Sequence, residues 1–258
     1  MMRVVLVGAG GRMGRAVAQT LAGADDVTLK ARVERPEMAA PLDGGAPWGH
    51  DLVAFVARGD VVVEFSTPAA AAAAAALCAQ RGAALVSGTT GLGDRDEDAV
   101  RAAARKTAIV RAANFSLGVL ALRRALATAL GAVPASWDVE IVERHHRGKQ
   151  DAPSGTALQL AREAAERRGY PASALRMGRS GRVGARPDAE IGIHSLRGGE
   201  WVGDHAVVLA GAGEWLELHH VAEDRTAFAH GVLAAARFVA TAPPGFYTLD
   251  EVASAAAR

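Results

Sequence analysis

The chain opens on a short apolar run that leads directly into a glycine-rich turn and then into a helical pattern. Residues 4–7 are continuous, apolar and mostly β-branched, as in a strand buried on both faces of a parallel sheet. The turn over residues 8–14 reads GAGGRMG, and residues 15–21 have helical character. A strand, a tight turn and a helix in this order form the start of a βαβ unit. The chain is therefore predicted to begin with an α/β fold.

The spacing of the glycines indicates a dinucleotide site. Gly8, Gly11 and Gly14 follow a GxxGxxG pattern, and Gly10 supplies the second glycine of the more common GxGxxG form. Glycines at these positions let the backbone approach a pyrophosphate, whose charge is stabilised by the helix N-terminus. Cofactor contacts are predicted for the whole turn: Gly8, Ala9, Gly10, Gly11, Arg12, Met13 and Gly14.

A second strand, predicted over residues 27–33, ends at a pair of charged residues. Glu34 lies about twenty residues past the turn, where an acid hydrogen-bonds the ribose hydroxyls of a dinucleotide. Arg35 follows it and suits a 2'-phosphate. The pair predicts that both NADH and NADPH are accepted. Residues 36–49 lack periodicity and are predicted to form a loop.

Alternating strand and helix signals continue to about residue 116. Thr67 is predicted to cap a helix with Pro68 in its first position. The further predicted strands are residues 61–65, 83–86 and 108–110, and the helices are residues 69–76 and 96–106. This alternation predicts an α/β fold of Rossmann-like type, with a doubly wound parallel sheet.

The rhythm changes after residue 116. A long helix is predicted over residues 117–130, and strands with alternating faces are predicted at residues 138–143, 190–196, 204–209 and 215–220. Such strands, with glycine-rich turns, indicate a mixed or largely antiparallel sheet in a second α+β domain. A helix over residues 225–239 and a proline break precede a short C-terminal helix.

The densest group of chemically active side chains lies in residues 143–157, which read ERHHRGKQDAPSGTA. His145 and His146 change charge near neutral pH and Lys149 is a cation, so one loop combines proton donors with positive charge. Ser154 is predicted to cap the following helix, whose first backbone N–H groups suit a carboxylate. A solvated surface loop before a helix is the competing interpretation from the residues alone.

Together these motifs resemble the 4-hydroxy-tetrahydrodipicolinate reductases, the dihydrodipicolinate reductase family of lysine biosynthesis. The resemblance covers nearly the entire chain. It rests on HHxxKxDAPSGTA from residue 145, GAGGRMG at 8–14, GTTG at 88–91, ANFSLGV at 113–119, IGIHSLRGGEWVGDH at 191–205 and RTAFAHG at 225–231. Two positions depart from the family pattern: Glu64, where the family often has Asp, and Leu120, where it usually has Asn. The second departure removes a polar side chain and is expected to change the local hydrogen bonding.

The resemblance implies NAD(P)H-dependent reduction of (2S,4S)-4-hydroxy-2,3,4,5-tetrahydrodipicolinate to (S)-2,3,4,5-tetrahydrodipicolinate with loss of water, in the diaminopimelate route to lysine. Hydride passes from nicotinamide C4 to C4 of the substrate ring. The implied catalytic residues are His145, as general acid, and Lys149, as second proton donor and stabilising cation. The implied substrate-binding residues are His146, Ser154, Gly155, Thr156 and Thr90.

Further cofactor contacts and the domain roles also follow from the resemblance. The implied contacts are Gly88, Thr89 and Thr90 on the nicotinamide side, with Ala112, Ala113, Asn114 and Phe115. The dinucleotide-binding domain is expected to be discontinuous and to comprise residues 1–117 and 226–258. Residues 118–225 are expected to form the substrate-binding and oligomerisation domain of a homotetramer.

Composition limits the other classes of function. A chain of 258 residues, 50% hydrophobic and 22% charged, is typical of a globular protein with one large or two medium domains. A formal net charge of +1 gives no strong field for nucleic acid or a membrane surface. The single cysteine, Cys78, and the short apolar N-terminal run predict a cytoplasmic protein. No ligand set for a metal is expected.

Two other functions stay open from the sequence alone. A nucleotide-sensing regulatory protein could use the same fold, although it needs no HHxxK loop. Within enzymes, the alternative is a related imine or aldehyde dehydrogenase that acts on another small dicarboxylate.

Overall fold

The structure is a computed structural model that describes residues 1–38 and 45–256. Its strands and helices are, in chain order, β1 (Met2–Val7), α1 (Arg12–Ala22), β2 (Val27–Val33), β3 (Trp48–Gly49), β4 (Val61–Glu64), α2 (Pro68–Arg81), β5 (Ala84–Ser87), α3 (Asp94–Ala104), β6 (Ala108–Arg111), α4 (Leu117–Ala132), β7 (Asp138–His145), α5 (Gly155–Arg168), β8 (Leu175–Met177), β9 (Ile191–Arg197), β10 (Gly203–Ala210), β11 (Trp215–Ala222), α6 (Thr226–Val239), β12 (Gly245–Tyr247) and α7 (Leu249–Ala256). The chain divides into two compact units, Met1–Leu117 with Arg225–Arg258 and Gly118–Asp224. The roles assigned to the two domains stay predictions.

The first unit is built on a parallel sheet with the strand order β12-β6-β5-β4-β1-β2-β3. Val4, Val5 and Leu6 of β1 are fully buried, as the continuous apolar run predicted. The strand order reverses at β1, which pairs with β2 on one side and β4 on the other. Ligands of open α/β sheets bind at the carboxyl ends of the strands beside such a reversal. The predicted doubly wound sheet is confirmed.

The alanine-rich stretch forms helix α2, which is capped at both ends. The Thr67 side chain accepts a hydrogen bond from the Ala70 amide, and Pro68 occupies the first helical position, so the predicted cap is confirmed. The helix ends at Gly82, whose φ of +65° is a left-handed conformation that favours glycine. Ala74 and Cys78 are buried in the core between α2 and the sheet. Small side chains let the helix approach its neighbours closely.

Three short strands lie where none was predicted. β3 pairs with β2 inside the stretch 36–49 that was predicted as a loop; residues 39–44 of that stretch lie outside the described residues. β8 lies between α5 and β9 and pairs with β9, and β12 follows the proline break and pairs with β6. Strands of two or three residues carry no period-two pattern, so only a neighbouring strand reveals them.

The second unit has a mixed sheet in the order β11-β10-β7-β9-β8, which confirms the predicted α+β architecture. β9 is parallel to β7 and β8, whereas β10 is antiparallel to β7 and β11. One face packs against α4 and α5 around a core that includes Ile141, Leu160 and Leu209. Because side chains alternate along a strand, Glu143 and His145 lie on the same buried face of β7.

Candidate active site

The glycine turn after β1 is shaped by close backbone contacts. A Cβ atom on Gly14 would overlap the carbonyl oxygen of Gly8, and a Cβ atom on Gly8 would overlap the carbonyl oxygen of Phe65. Gly8 also has a φ of +76°, which side chains disfavour. The turn, the start of α1 and the backbone after β4 can therefore pack this closely only with glycine at these two positions.

The N-terminus of α1 suits an anion. Its cap residue, Gly11, has no side-chain acceptor, and no acidic residue lies in the first turn. The first N–H groups and the helix dipole favour negative charge at such a terminus. A cavity of about 650 Å³ adjoins the turn and is lined by residues that include Gly8, Gly11, Glu34, Arg35, Leu52, Thr67 and Leu77. Its size and its combination of apolar walls with a few polar groups fit part of a dinucleotide.

Glu34 is held in place beside the turn, whereas Arg35 extends outward. One carboxylate oxygen of Glu34 accepts from the Gly10 amide at 2.9 Å, and the other accepts from the Arg35 amide at 3.0 Å. The guanidinium of Arg35 lies 3.9 Å from the same carboxylate, and its side chain is 73% exposed. The structure thus brings together a fixed acid and an exposed cation at the end of β2.

The loops after β4 and β5 are joined by a carboxylate to which the sequence reasoning gave no role. Glu64 is fully buried. Its carboxylate accepts from the Ser66 amide at 2.7 Å and from the hydroxyls of Ser66, Ser87 and Thr89 at 2.5, 2.8 and 2.6 Å. Thr89 is consequently buried, whereas Thr90 is exposed. Glu64 therefore links Ser66, after β4, to Thr89 of the GTTG turn, after β5.

The other predicted cofactor residues lie near this turn. The Ala112 amide donates to the Ser87 carbonyl oxygen at 3.2 Å. The Phe115 ring packs edge-on against Phe65 with the ring centroids 5.9 Å apart. A Cβ atom on Gly88 would overlap the Phe65 ring. The segment 112–115 and the GTTG turn thus both pack around Phe65. The proposed nicotinamide contacts of these residues stay predictions.

In the second unit, the predicted proton donors have different surroundings. His145 ends β7 and is 9% exposed, and His146 is half-buried in the turn that follows. Lys149 is also half-buried, and its ammonium group lies 2.8 Å from a carboxylate oxygen of Asp151. The three predicted residues are close in sequence and are arranged around one turn, but only His145 is packed into the sheet.

Glu143 is the most heavily hydrogen-bonded acid near this loop. Its Oε2 lies 2.5 Å from Nδ1 of His145, and both of its oxygens accept from Arg197 at 2.8 Å. Burial favours the neutral acid, but the hydrogen bonds from His145 and Arg197 outweigh it and hold the pKa of Glu143 well below its usual range. An ionised carboxylate only accepts hydrogen bonds, so Nδ1 of His145 carries a hydrogen. Nε2 is then the atom that exchanges protons.

The N-terminus of α5 is capped as predicted. Ser154 has an extended backbone, and its Oγ accepts from the Ala157 amide at 3.1 Å. Gly155 is exposed, Thr156 is half-buried, and the first turn contains no acid. The helix begins at Gly155, directly after this cap, so Gly155 and Thr156 lie in its first turn. This N-terminus has the features of a carboxylate site.

His205 links the cap to His145. Its Nε2 lies 3.1 Å from Ser154 Oγ, and its ring packs edge-on against the His145 ring with a centroid distance of 5.2 Å. Burial, followed by the nearby charge of His145, lowers the pKa of His205 to about 4. His205 is therefore neutral at physiological pH.

Sequence reasoning assigned no role to Glu143, Arg197 or His205. The signal was present in part, because Glu143 and His145 are two residues apart on a predicted strand, and Arg197 and His205 lie within the IGIHSLRGGEWVGDH motif. Their proximity depends on strand register. β7 pairs with β9 so that His145 lies opposite Arg197, and with β10 so that Glu143 lies opposite His205.

Over residues 1–38 and 45–256, none of the helices is both long and apolar enough to span a membrane. Within the same residues, no group of three or more His, Cys, Asp or Glu side chains is placed to hold a metal ion.

Comparison with known families covers both units. Residues 2–115 match the family model described as "Dihydrodipicolinate reductase, N-terminus", and residues 118–253 match "Dihydrodipicolinate reductase, C-terminus". The chain is 45% identical over 256 residues to a 4-hydroxy-tetrahydrodipicolinate reductase of Caulobacter vibrioides, which covers 97% of this chain and 96% of the relative. It is 41% identical over 261 residues to the enzyme of the same name from Nitrosomonas europaea, with 97% of each chain covered.

Solved structures show the same relationship. A dipicolinate-bound dihydrodipicolinate reductase from Paenisporosarcina sp. TG-14 is similar with a TM-score of 0.78 and 26% identity, over 96% of this chain and 97% of that one. A putative myo-inositol dehydrogenase from Sinorhizobium meliloti 1021 shares the fold alone, with a TM-score of 0.63 and 15% identity over 99% of this chain and 94% of that one. With both halves of the chain matched, the protein belongs to the dihydrodipicolinate reductase family.

Proposed function

We infer that this protein reduces (2S,4S)-4-hydroxy-2,3,4,5-tetrahydrodipicolinate to (S)-2,3,4,5-tetrahydrodipicolinate, with NADPH or NADH as reductant. One hydride and one proton enter and one water leaves, so the reaction needs a proton donor and binding groups for two carboxylates. The observation that carries the proposal is the arrangement of His145, Lys149 and the N-terminus of α5 around one loop of the second unit. Membership of the family agrees with it.

The first unit has the groups that a pyridine nucleotide needs. A bound nicotinamide nucleotide supplies the hydride. In our proposal the glycine turn and the N-terminus of α1 bind the pyrophosphate, because backbone can approach there and the helix dipole is favourable. Glu34 accepts hydrogen bonds from the ribose hydroxyls, and Arg35 pairs with a 2'-phosphate when one is present. Glu64 holds the GTTG turn, through which Gly88, Thr89 and Thr90 contact the nicotinamide side.

Proton transfer is assigned to His145. Glu143 fixes the hydrogen on Nδ1, so Nε2 of the imidazolium donates the proton that leaves with the departing water. Lys149 supplies positive charge near the reacting ring and acts as a second donor. Its partner Asp151 is exposed, and a substrate carboxylate can replace that partner at small cost.

The substrate carboxylates are assigned to the loop and the following helix. The amides of Gly155 and Thr156, with the Thr156 hydroxyl, bind one carboxylate at the helix N-terminus. His146 binds the substrate from the preceding turn. Ser154, whose hydroxyl oxygen accepts from the Ala157 amide, is proposed to contact the substrate as well. Thr90 is proposed to orient the ring.

A coupled assay tests this function. Pyruvate and aspartate semialdehyde are converted by the preceding synthase, and the loss of NADPH or NADH is followed by absorbance. We expect oxidation of the cofactor only when freshly made synthase product is present. Turnover with other small dicarboxylate imines or aldehydes, but none with this product, would favour the related dehydrogenase instead. No oxidation with any of these substrates would contradict an enzymatic role.

We also propose that the enzyme works in the cytoplasm as a homotetramer assembled through the sheet of the second unit. Its edge strand, β11, exposes Trp215 and Val221 at 64% and 53% of their surface. Exposed apolar side chains on an open strand edge favour contact with another chain. Light scattering should give four times the chain mass of 26.6 kDa. A monomer mass would contradict the proposal.

A further inference from the structure

The buried carboxylate of Glu143 contacts both ends of the loop between β7 and α5. Oε2 of Glu143 contacts Nδ1 of His145, and Oε1 accepts from the Ser154 amide at 3.2 Å. Arg197 donates to both oxygens. We propose that Glu143, held by Arg197, is a positioning residue that fixes the tautomer of His145 and the location of its ring relative to the N-terminus of α5. The proposal rests on the proposed function, in which His145 donates the proton and α5 binds a substrate carboxylate.

The cost of this arrangement argues against a purely structural role. Glu143 is fully buried, and burying an ionised carboxylate costs more free energy than burying an apolar side chain of similar size. The cost is offset only when every oxygen is well hydrogen-bonded. Arg197 meets that need, because its planar guanidinium matches the two oxygens of a carboxylate. An apolar pair would stabilise the fold at least as well but would leave Nδ1 of His145 without an acceptor.

Arg197 extends the same network to the cation of the loop. Besides Glu143, its Nη2 donates to the Asp151 carbonyl oxygen at 2.7 Å. Asp151 in turn pairs with the ammonium group of Lys149. Glu143 and Arg197 therefore contact the segments that carry both proposed proton donors and the helix cap. A shift of either residue changes the distances among all three.

The charged and titratable groups that face His145 come from three strands. Glu143 lies on β7, Arg197 on β9 and His205 on β10, and Ser154 at the N-terminus of α5 contacts His205. Glu143 is the only carboxylate of this set that contacts the His145 ring. Within this set of described neighbours, neutralising Glu143 leaves the Arg197 guanidinium as the charged group beside His145, and a nearby cation disfavours an imidazolium. We therefore expect the loss of the Glu143 charge to make the imidazolium form of His145 less favourable.

The same strand provides a matched control on its other face. Glu140 contacts the ring of His194 at 2.7 Å and pairs with Arg179 at 2.6 Å, so it repeats the combination of Glu, His and Arg. Burial favours its neutral form, but the hydrogen bonds from Arg179, His194 and Arg186 lower the pKa of Glu140 to about 2. This cluster lies away from residues 145–156 because alternate residues of β7 face opposite sides of the sheet.

The test compares Glu143→Gln with Glu140→Gln. In Glu143→Gln the amide can donate to Nδ1 of His145 and so favours the wrong tautomer. We expect kcat to fall about 100-fold, with NADPH affinity unchanged and the kcat–pH profile displaced to lower pH. Glu140→Gln should keep wild-type kcat and the wild-type profile. Glu143→Asp, which retains the charge, should have a higher kcat than Glu143→Gln. Arg197→Lys, which also retains its charge, should keep more of the wild-type kcat than Arg197→Met.

A second measurement needs no substrate. Nitrogen NMR of the histidine rings, with His145 identified by its loss in His145→Gln, should show hydrogen on Nδ1 in the wild type and a changed tautomer in Glu143→Gln. NADPH titration and thermal unfolding report whether each variant folds. A wild-type His145 tautomer and wild-type kcat in a folded Glu143→Gln protein would overturn the proposal. If the wild type failed to reduce the synthase product but the NMR change occurred, the proposed function would fail while the positioning by Glu143 would stand.

Discussion

At the scale of single residues, His145 and Thr156 separate proton transfer from binding. His145→Gln removes the proposed general acid, so kcat should fall by about 10² to 10⁴ with nearly unchanged cofactor affinity. Thr156→Val removes a hydroxyl that holds a carboxylate in the ground state, so KM should rise first and kcat should change less. Steady-state kinetics of both variants, with NADPH binding followed by fluorescence, makes the comparison. Wild-type kinetics in both variants would contradict the roles proposed for His145 and Thr156.

Cofactor choice is also decided by single residues. Glu34 is held by two backbone amides and favours a free ribose, whereas the exposed Arg35 side chain suits a 2'-phosphate. Arg35→Ala should weaken NADPH binding by roughly 1.5 to 3 kcal/mol and NADH binding much less. The dissociation constants of the two nucleotides, measured by fluorescence titration, test this. An equal loss for both would place Arg35 away from the phosphate.

At the scale of elements, Glu64 connects the ends of β4 and β5. Three hydroxyls and one amide donate to its carboxylate. A glutamine would replace one acceptor oxygen with an NH2 group, which would then face some of these donors. Glu64→Gln should therefore disturb the GTTG turn and weaken NADPH binding about 10-fold, a change on the scale of one buried hydrogen bond. Glu64→Asp keeps the acceptors and should bind NADPH with nearly wild-type affinity. Wild-type affinity in Glu64→Gln would show that the turn does not depend on this carboxylate.

At the scale of the whole molecule, the buried groups of the second unit predict sensitivity to acid. The pKa of His205 is lowered from 6.5 to about 4, so the unfolded chain binds a proton that the folded chain resists. The contribution of His205 to the free energy of unfolding is therefore fully present above pH 6.5. It falls between pH 6.5 and about 4, by roughly 3 kcal/mol at most. The lowered pKa of Glu143 acts in the same direction below its ordinary value of 4.5. Of these two groups, His205 contributes to the loss at higher pH and Glu143 at lower pH.

Denaturant unfolding at a series of pH values, followed by circular dichroism, measures this loss. His205→Asn should flatten the dependence between pH 6.5 and 4, whereas His230→Asn, at an exposed position on α6, should leave it unchanged. Equal slopes in the wild type and His205→Asn would show that His205 does not cause the acid sensitivity.

The features that the sequence determined by itself depend on residues that are close together in the chain. The apolar β1, the glycine turn and α1 follow one another within about twenty residues, so their pattern reports their structure directly. The caps Thr67 and Ser154 bond to amides three residues away, and His145, His146 and Lys149 share one short turn. Signals of this range need no knowledge of the rest of the fold.

Tertiary structure alone decided which distant residues complete the sites. Glu143 accepts a hydrogen bond from Arg197, 54 residues away, because β9 pairs in parallel with β7 at one register. It lies opposite His205 because β10 pairs with the other edge of β7. A shift of one residue in either pairing would turn these side chains to the opposite face of the sheet. Glu64 likewise reaches Ser87 and Thr89 only because β5 lies next to β4. Strand register is set by the packing of whole faces of the sheet, and no local pattern in the sequence specifies it.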